Sequence, residues 1–279
     1  MERKTKILAL VGKGGVGKTT ICSAFVRLLS EQNPDARILA IDADPAVGLS
    51  TALGIEVKET LDGLRLEIIE KAAQGAGQEA IELLSEVRFR IFDALVEAGN
   101  IAFLAIGRPE GAGCYCAVNA YLKEVIEMIS KDFDYVVIDG EAGIEQVNRR
   151  VMEKVTHLFL VTDGSKKGMQ VIESIRQVAD ELVSYERCSV IVNRMDDPEL
   201  LLSYVDAKTV EMTRNEAAGN PTGEDLAQAS LRGMELLSII PSDPAHAKND
   251  ILGKTIFDLS SDAPVLLGAA KALRHMLQV

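Results

Sequence analysis

The sequence predicts an α/β fold: a mostly parallel, doubly wound sheet flanked by helices. Three observations carry that expectation. Short runs rich in Val, Ile and Leu alternate with longer helical patterns along the chain. The runs are apolar at nearly every position, the pattern of strands buried on both faces. The first run, Ile7-Leu8-Ala9-Leu10-Val11, empties into a glycine-rich turn that leads into a helix. Open sheets of this kind bind ligands at the carboxyl ends of their strands.

Taken in order, the first strand is expected near 5–11, followed by a helix over 18–31 that starts at Lys18-Thr19-Thr20. The run Ile38-Leu39-Ala40-Ile41 predicts a strand near 36–42, which Pro45 prevents from continuing far. Residues 56–80, with Gln74-Gly75-Ala76-Gly77-Gln78, read as a connection that wanders between elements. A helix is expected over 76–97, a strand over 101–106, a helix over 117–131 and a strand over 134–139. Beyond these come a helix over 144–153, a strand over 157–162, a helix over 166–182 and a strand over 188–193. Residues 195–233 hold acidic and turn-forming residues, and so long a stretch between strands implies a small helical insertion or a mobile loop. The chain closes with a strand near 236–240 and helices near 245–252 and 263–278. No composition shift or repeat divides it, so residues 1–279 are expected to form one domain.

Composition narrows the function. The 279 residues are 47% hydrophobic, enough for a full core, with no Trp and only 4% aromatics, so aliphatic side chains must do the packing. A net charge of -12 argues against a nucleic-acid surface, which needs a clustered basic face. Four cysteines without disulfide-dense spacing point to a reducing compartment, the cytoplasm. No run approaches the ~18 apolar residues of a membrane span, and the N-terminal apolar run is too short for a signal peptide.

The chemistry starts at Gly12-Lys13-Gly14-Gly15-Val16-Gly17-Lys18-Thr19-Thr20. Glycines let backbone N–H groups converge on phosphates, and the helix N-terminus adds its positive end. Lys18 can reach the β/γ oxygens and the Thr19 hydroxyl can ligate Mg²⁺, so the loop is read as an ATP or GTP site. Asp139 ends the strand Tyr135-Val136-Val137-Ile138, where an acid can meet Mg²⁺ through water. Asp42 and Asp44 end another strand. If the strand geometry persists to Asp44, both carboxylates face one side, and Asp44 is the better candidate to orient water at the γ-phosphate. Gly143, in Gly140-Glu141-Ala142-Gly143-Ile144-Glu145, can offer its N–H to that phosphate and move when it is lost. Asn193-Arg194 and Pro241-Ser242-Asp243 end two further strands where a base could rest, and Asn193 can pair with an adenine edge.

Cys114-Tyr115-Cys116 is the other chemical feature. In an extended segment both sulfurs face one side, but they supply only two of the four ligands of a closed tetrahedral site. A two-fold dimer would complete the set, while two ordinary buried cysteines are the plainer reading. Cys22, Cys188 and the three histidines carry no ligand spacing and read as ordinary residues.

With Lys13 at its second position, and with Asp44-Pro45 and the Asp139–Glu145 segment, the loop resembles the "deviant" phosphate loop of the dimeric P-loop ATPases that include MinD, ParA and the nitrogenase iron protein. Gly107-Arg108-Pro109-Glu110-Gly111-Ala112-Gly113-Cys114-Tyr115-Cys116 makes the chain similar to the maturation ATPases of carbon monoxide dehydrogenase, the nickel-insertion accessory family. That resemblance implies an Mg²⁺-dependent homodimer that sandwiches two ATP molecules and reopens on hydrolysis to ADP. It implies that Lys13 reaches the partner's phosphates, that Lys18 and Thr19 hold phosphate and Mg²⁺, and that Asp44 positions water. Asp139 would sit behind the metal, Gly143 would sense the γ-phosphate and Asn193 would read adenine. Cys114 and Cys116 would carry Ni²⁺ or Zn²⁺ between subunits for a client metalloenzyme such as carbon monoxide dehydrogenase. Three features depart from the family: the 195–233 insertion is long, no His-rich tail is present, and the client can differ. An iron-protein-like reductase would hold a [4Fe–4S] cluster between subunits on one cysteine near position 114 and another near its second switch; Gly143-Ile144-Glu145-Gln146-Val147 has no cysteine, and the alternative is a cluster on Cys114 and Cys116 across the dimer. A membrane-positioning ATPase would need a basic amphipathic C-terminal helix, whereas Ala269-Ala270-Lys271-Ala272-Leu273 reads as a helix docked on the sheet, without stable membrane association.

Overall fold

The computed structural model describes residues 4–44, 47–73, 89–107, 116–140, 151, 154–203, 230–231 and 233–277. Strands β1 (Lys6–Gly12), β2 (Ile38–Asp42), β3 (Val96–Ala98), β4 (Ile101–Ala105), β5 (Tyr135–Asp139), β6 (Lys154–Thr162), β7 (Ser184–Asn193), β8 (Ser230–Leu231) and β9 (Met234–Ile240) form one sheet. Its order is β3-β4-β2-β5-β1-β6-β7-β9-β8. The inner pairings, from β4 through to β9, are all parallel. The two outermost strands are antiparallel. The helices are α1 (Lys18–Gln32), α2 (Gly48–Leu53), α3 (Leu61–Ala73), α4 (Cys116–Ser130), α5 (Lys166–Leu182), α6 (Pro244–Ile251) and α7 (Pro264–Leu277).

Both faces of the sheet are covered, as the continuous apolar runs require. Leu8 and Leu10 of β1 pack with Ile21, Phe25 and Leu29 of α1 and with Leu266, Ala269 and Leu273 of α7. Ala9 and Val11 belong to the opposite layer, with Ile126 and Ile129 of α4 and Met169 and Ile172 of α5. One strand therefore feeds two cores by alternation. Phe25 meets Phe159 edge-on at 5.0 Å, filling the aliphatic core with one of its few aromatic pairs. The expected doubly wound α/β fold is the observed one. The last helix, α7, docks against the sheet and buries Leu266, Ala269, Ala272, Leu273 and Met276. Among the described residues no helix is long and apolar enough to cross a membrane.

Two local expectations change, and two fall mostly outside the described residues. The stretch 56–80 is not a wandering connection throughout: residues 61–73 form α3, with Leu61 and Leu64 buried beside Asp62 and Arg65. The interleaved charges of Asp62, Arg65, Glu67 and Glu70 blur the apolar stripe that would have marked it. Of the helix expected over 76–97, residues 76–88 lie outside the described residues and 89–94 are helical, but its end is β3, which pairs with β4 across Gly99-Asn100 with Gly99 at φ 63. Strands of two and three residues are too short to carry a period, so β3 and β8 left no sequence signal. Of the insertion at 195–233, a 3-10 turn at Pro198–Ser203 and β8 are described, and 204–229 lies outside the described residues. So does the helix expected at 144–153, apart from Val151.

Arg27 ties the phosphate-side helix to the C-terminal segment. It is 7% exposed and donates from Nη1 to the carbonyls of Ile256 (2.7 Å) and Leu259 (2.8 Å), and from Nε to Glu31 (2.8 Å). Arg27→Met keeps the stem but strands the Leu259 carbonyl and leaves that of Ile256 with the Leu259 N–H at 3.3 Å. Urea unfolding should show a loss of about 2–4 kcal/mol, and an unmoved midpoint would contradict this anchoring.

Candidate nucleotide-binding site

The loop between β1 and α1 can be built only with glycine at its two ends. A Cβ on Gly12, at φ 155, would lie 2.1 Å from the Val161 carbonyl oxygen, which is backbone and has nowhere to go. A Cβ on Gly17, at φ 92, would lie 2.3 Å from Asn193 Nδ2. The loop is thus pressed against the ends of β6 and β7. Gly14 and Gly15 are exposed at its rim, and Val16 is buried beneath it. Gly17 itself caps α1, with no side-chain bond to the helix N-terminus, so the first N–H groups of α1 face the loop.

Two strand ends hold the loop from the side. Asn193 is buried, and its Nδ2 donates to the Val16 carbonyl at 2.8 Å. Arg194 takes a left-handed backbone (φ 57), and its Nη1 donates to the Gly15 carbonyl at 3.0 Å. Asn193, expected to face a base, therefore spends its amide donor on the loop. Lys18 is 7% exposed and folds back, its Nζ 3.4 Å from the Lys13 carbonyl. Lys13 turns the other way, and its Nζ meets Asp163 Oδ2 at 3.2 Å. Thr20 bonds His246 Nε2 at 3.1 Å, which brings the start of α6 over the loop.

The acids sit behind the loop. Asp42 and Asp139 are register partners on β2 and β5, and Leu10 of β1 is the register partner of Asp139 on its other side. Both carboxylates are buried, at 0% and 1% exposure. Asp42 is fully used: Oδ1 accepts from Asp44 N at 3.0 Å and Oδ2 from Leu49 N at 2.8 Å. Its part is to brace the turn into α2. That turn also corrects the expected strand geometry. β2 ends at Asp42 and the chain bends, so Asp44 is half-buried on the bend and does not extend the strand. Asp139 is different, because neither of its oxygens closes a hydrogen bond of normal geometry among the described residues. Burial pushes its carboxyl up to about 7, against the Thr19 hydroxyl and Lys18, which pull it down. Burial likewise raises Asp42 to about 6, against the N–H groups of Leu49 and Asp44. A buried carboxylate whose described neighbours are the hydroxyl of Thr19 and the ammonium of Lys18 fits a divalent cation.

Other expected residues are less central or undescribed. Pro241 is exposed between β9 and α6, and Asp243 caps α6, its Oδ1 accepting from His246 N at 2.8 Å. Gly143 and Cys114 lie outside the described residues; Cys116 is the first residue of α4. Among the described residues no group of three or more His, Cys, Asp or Glu side chains could hold a metal ion. Cys22 and Cys188 are free thiols, the first buried and the second half-buried. Sequence reading missed Asp163 and His246. Each meets the loop from more than 100 residues away, and neither belongs to a spaced motif.

The sequence profile of the CobQ/CobB/MinD/ParA nucleotide-binding domain matches residues 7–256. An uncharacterised ATP-binding protein of Methanocaldococcus jannaschii is 34% identical over 256 residues, covering 90% of this chain and 98% of its own. The carbon monoxide dehydrogenase accessory protein CooC of Rhodospirillum rubrum is 30% identical over 264 residues, covering 91% and 90%. Among solved structures, the septum site-determining protein MinD of Pyrococcus horikoshii, complexed with Mg-ADP, superposes with TM-score 0.64 at 19% identity. The match covers 99% of this chain and 97% of that one.

The raised carboxyls make stability depend on pH. A carboxyl whose folded pKa exceeds its ordinary 3.8 stabilises the fold below that value, and the contribution disappears as pH rises through about 6 to 7. The nucleotide-free protein should therefore be less stable at pH 8 than at pH 5.5. Asp139→Asn should flatten that difference and raise Tm at pH 8 by roughly 2–4 °C for each kcal/mol recovered. Calorimetry showing an unchanged pH profile in the variant would refute the buried-charge account.

Proposed function

The chain belongs to the CobQ/CobB/MinD/ParA nucleotide-binding family and is an ATPase of the MinD/ParA class, and from that premise we propose that it is a maturation factor, hydrolysing ATP in a homodimer to deliver a metal, nickel above all, to a client metalloenzyme. The observation that carries the hydrolytic half is Asp139, a buried carboxylate set behind the phosphate loop beside the Thr19 hydroxyl, whose oxygens close no hydrogen bond of normal geometry among the described residues. Thr19 and Asp139 would hold Mg²⁺, Asp139 through water. When bound, that ion supplies charge neutralisation at the β/γ oxygens. Lys18 leaves the Lys13 carbonyl to bind the same oxygens, and Asp44, on the bend after β2, orients the attacking water. Gly12, Gly14, Gly15, Val16, Gly17 and Thr20 supply the cradle. Asn193, Arg194, Pro241 and Asp243, at or just beyond the ends of β7 and β9, would border ribose and base, and Gly143 would sense the γ-phosphate. Lys13 acts across the dimer.

The delivery half is supported by the Rhodospirillum relative and by Cys114-Tyr115-Cys116 in the sequence. The cargo ion would sit between subunits on four thiolates, two from each chain. Soft sulfur accepts Zn²⁺ readily and also suits Ni²⁺ in a planar arrangement. ATP-driven closure and reopening would couple cargo release to the client.

Lys18→Ala should abolish nucleotide binding, measured by calorimetry. Asp44→Ala should keep ATP affinity within a few-fold while kcat falls ~100-fold or more, because the cradle survives and water orientation does not. Equal loss of affinity in both variants would reject the division of roles. For the cargo site, metal titration should reach one ion per two subunits. Cys114→Ala or Cys116→Ala should remove that ion and leave ATP affinity unchanged. One ion per chain, or undiminished binding in the double variant, would refute a shared site.

A further inference from the structure

Lys13 is not idle in the single chain. Its main-chain carbonyl faces Lys18 Nζ at 3.4 Å, inside the loop, while its own ammonium points to the end of β6 and pairs with Asp163 Oδ2 at 3.2 Å. Both side chains are about one-third exposed, at 31% and 30%. The carboxylate is built for the job. Its other oxygen, Oδ1, accepts from Ser165 N at 3.1 Å and from Ser165 Oγ, which together fix the χ angles of Asp163 at the mouth of α5. Gly168, in the first turn of α5, leaves the room: a Cβ there would stand 2.4 Å from Asp163 Oδ1. Burial works against ionisation of Asp163, but the Ser165 and Lys13 hydrogen bonds outweigh it and hold the carboxyl below its ordinary value. Register makes the distance short, because Gly12 pairs with Val161 on adjacent parallel strands, so the residues that follow each emerge side by side.

We propose that Asp163 is a positioning residue that holds Lys13 on its own subunit in the nucleotide-free chain, and that ATP-driven pairing of two subunits must exchange this ion pair for phosphate of the partner's nucleotide. The inference rests on the dimer reading above. It makes the Lys13–Asp163 pair a brake on dimerisation, and so on hydrolysis without cargo or client. Nucleotide itself loosens the brake. When Lys18 turns to phosphate it leaves the Lys13 carbonyl, and the peptide carrying the Lys13 side chain loses one of its two tethers.

Asp163→Asn tests this with little collateral change, since the amide oxygen can still accept from Ser165 while the NH₂ group repels rather than binds the ammonium. A pair of this exposure is worth up to about 5-fold in an equilibrium, and a symmetric dimer breaks two. Sedimentation of the full chain with the imido analogue of ATP should show the variant dimerising at a protein concentration between about 5-fold and 25-fold lower than wild type. Asp163→Glu, which keeps the charge, should return toward wild type. In the nucleotide-free monomer, acylation of Lys13 by a succinimidyl ester, followed by mass spectrometry, should run several-fold faster in Asp163→Asn. Equal acylation rates, or a dimer no tighter than wild type, overturn the proposal. Lys13→Ala separates the two levels. If it still forms the ordinary ATP-induced dimer, the trans role of Lys13 fails and the brake falls with it; if it stays monomeric while Asp163→Asn matches wild type, only the brake is wrong.

Discussion

The site hangs on one steric constraint, the passage of Gly12 against the carbonyl of Val161. At 2.1 Å a Cβ would overlap backbone that is itself locked in the sheet. Because β1 lies between β5 and β6, closing the loop there brings Asp139 to one side of it and Asp163 to the other. The phosphate cradle, the candidate metal acid and the Lys13 anchor are thus three consequences of one strand register. Any slip of β1 by a residue would also exchange its two core faces, since Leu8 and Leu10 serve one layer and Ala9 and Val11 the other. The hydrophobic effect therefore enforces the geometry of a polar site.

That site is held at a cost. Two buried carboxyls at neighbouring strand ends, both raised by burial, are opposed only in part by N–H groups, the Thr19 hydroxyl and Lys18. Asp42 meets its need locally, through two backbone donors of the turn it supports. Asp139 has no such local solution, and a ligand that brings positive charge is the natural one. Preorganisation of this kind destabilises the empty protein and strengthens binding by the same interaction. The anchors elsewhere are of the opposite type. Arg27 spends its guanidinium on two buried carbonyls, and it joins α1 to the last segment of the chain.

Much of this was legible in the sequence, for a physical reason. Strands buried on both faces need apolar residues throughout, so β1, β2, β4, β5, β6, β7 and β9 stood out as runs, and a doubly wound sheet followed. The loop was legible because close backbone approach demands glycine at fixed spacing. What stayed hidden was whatever depends on contact between distant segments. Asp163 looks like an ordinary turn residue until β6 is laid beside β1, and His246 like an ordinary surface histidine until α6 is laid over Thr20. The two carboxylates of Asp42-Ala43-Asp44 looked like a continuing strand, but the bend that Asp42 caps through Asp44 N separates them. α3 hid behind its own charges, and β3 and β8 were too short to show a period.

The loop is gripped from several sides at once, and this decides how it can respond. Asn193 and Arg194 hold the carbonyls of Val16 and Gly15 from the end of β7, Asp163 holds Lys13 from the end of β6, and Lys18 closes the loop from within. The Asn193 grip is a neutral amide on a main-chain carbonyl, which phosphate does not draw away. The contacts of Lys13, Lys18 and Arg194 are different, because cations are what phosphate attracts. An incoming triphosphate competes for Lys18 directly, and through the Lys13 peptide it weakens the hold of Asp163. The loop is thus held by a fixed grip, that of Asn193, and by a responsive set of cations whose resting partners are weaker than phosphate. Sensitivity to nucleotide then follows from which contacts are charged, without any large movement of the backbone.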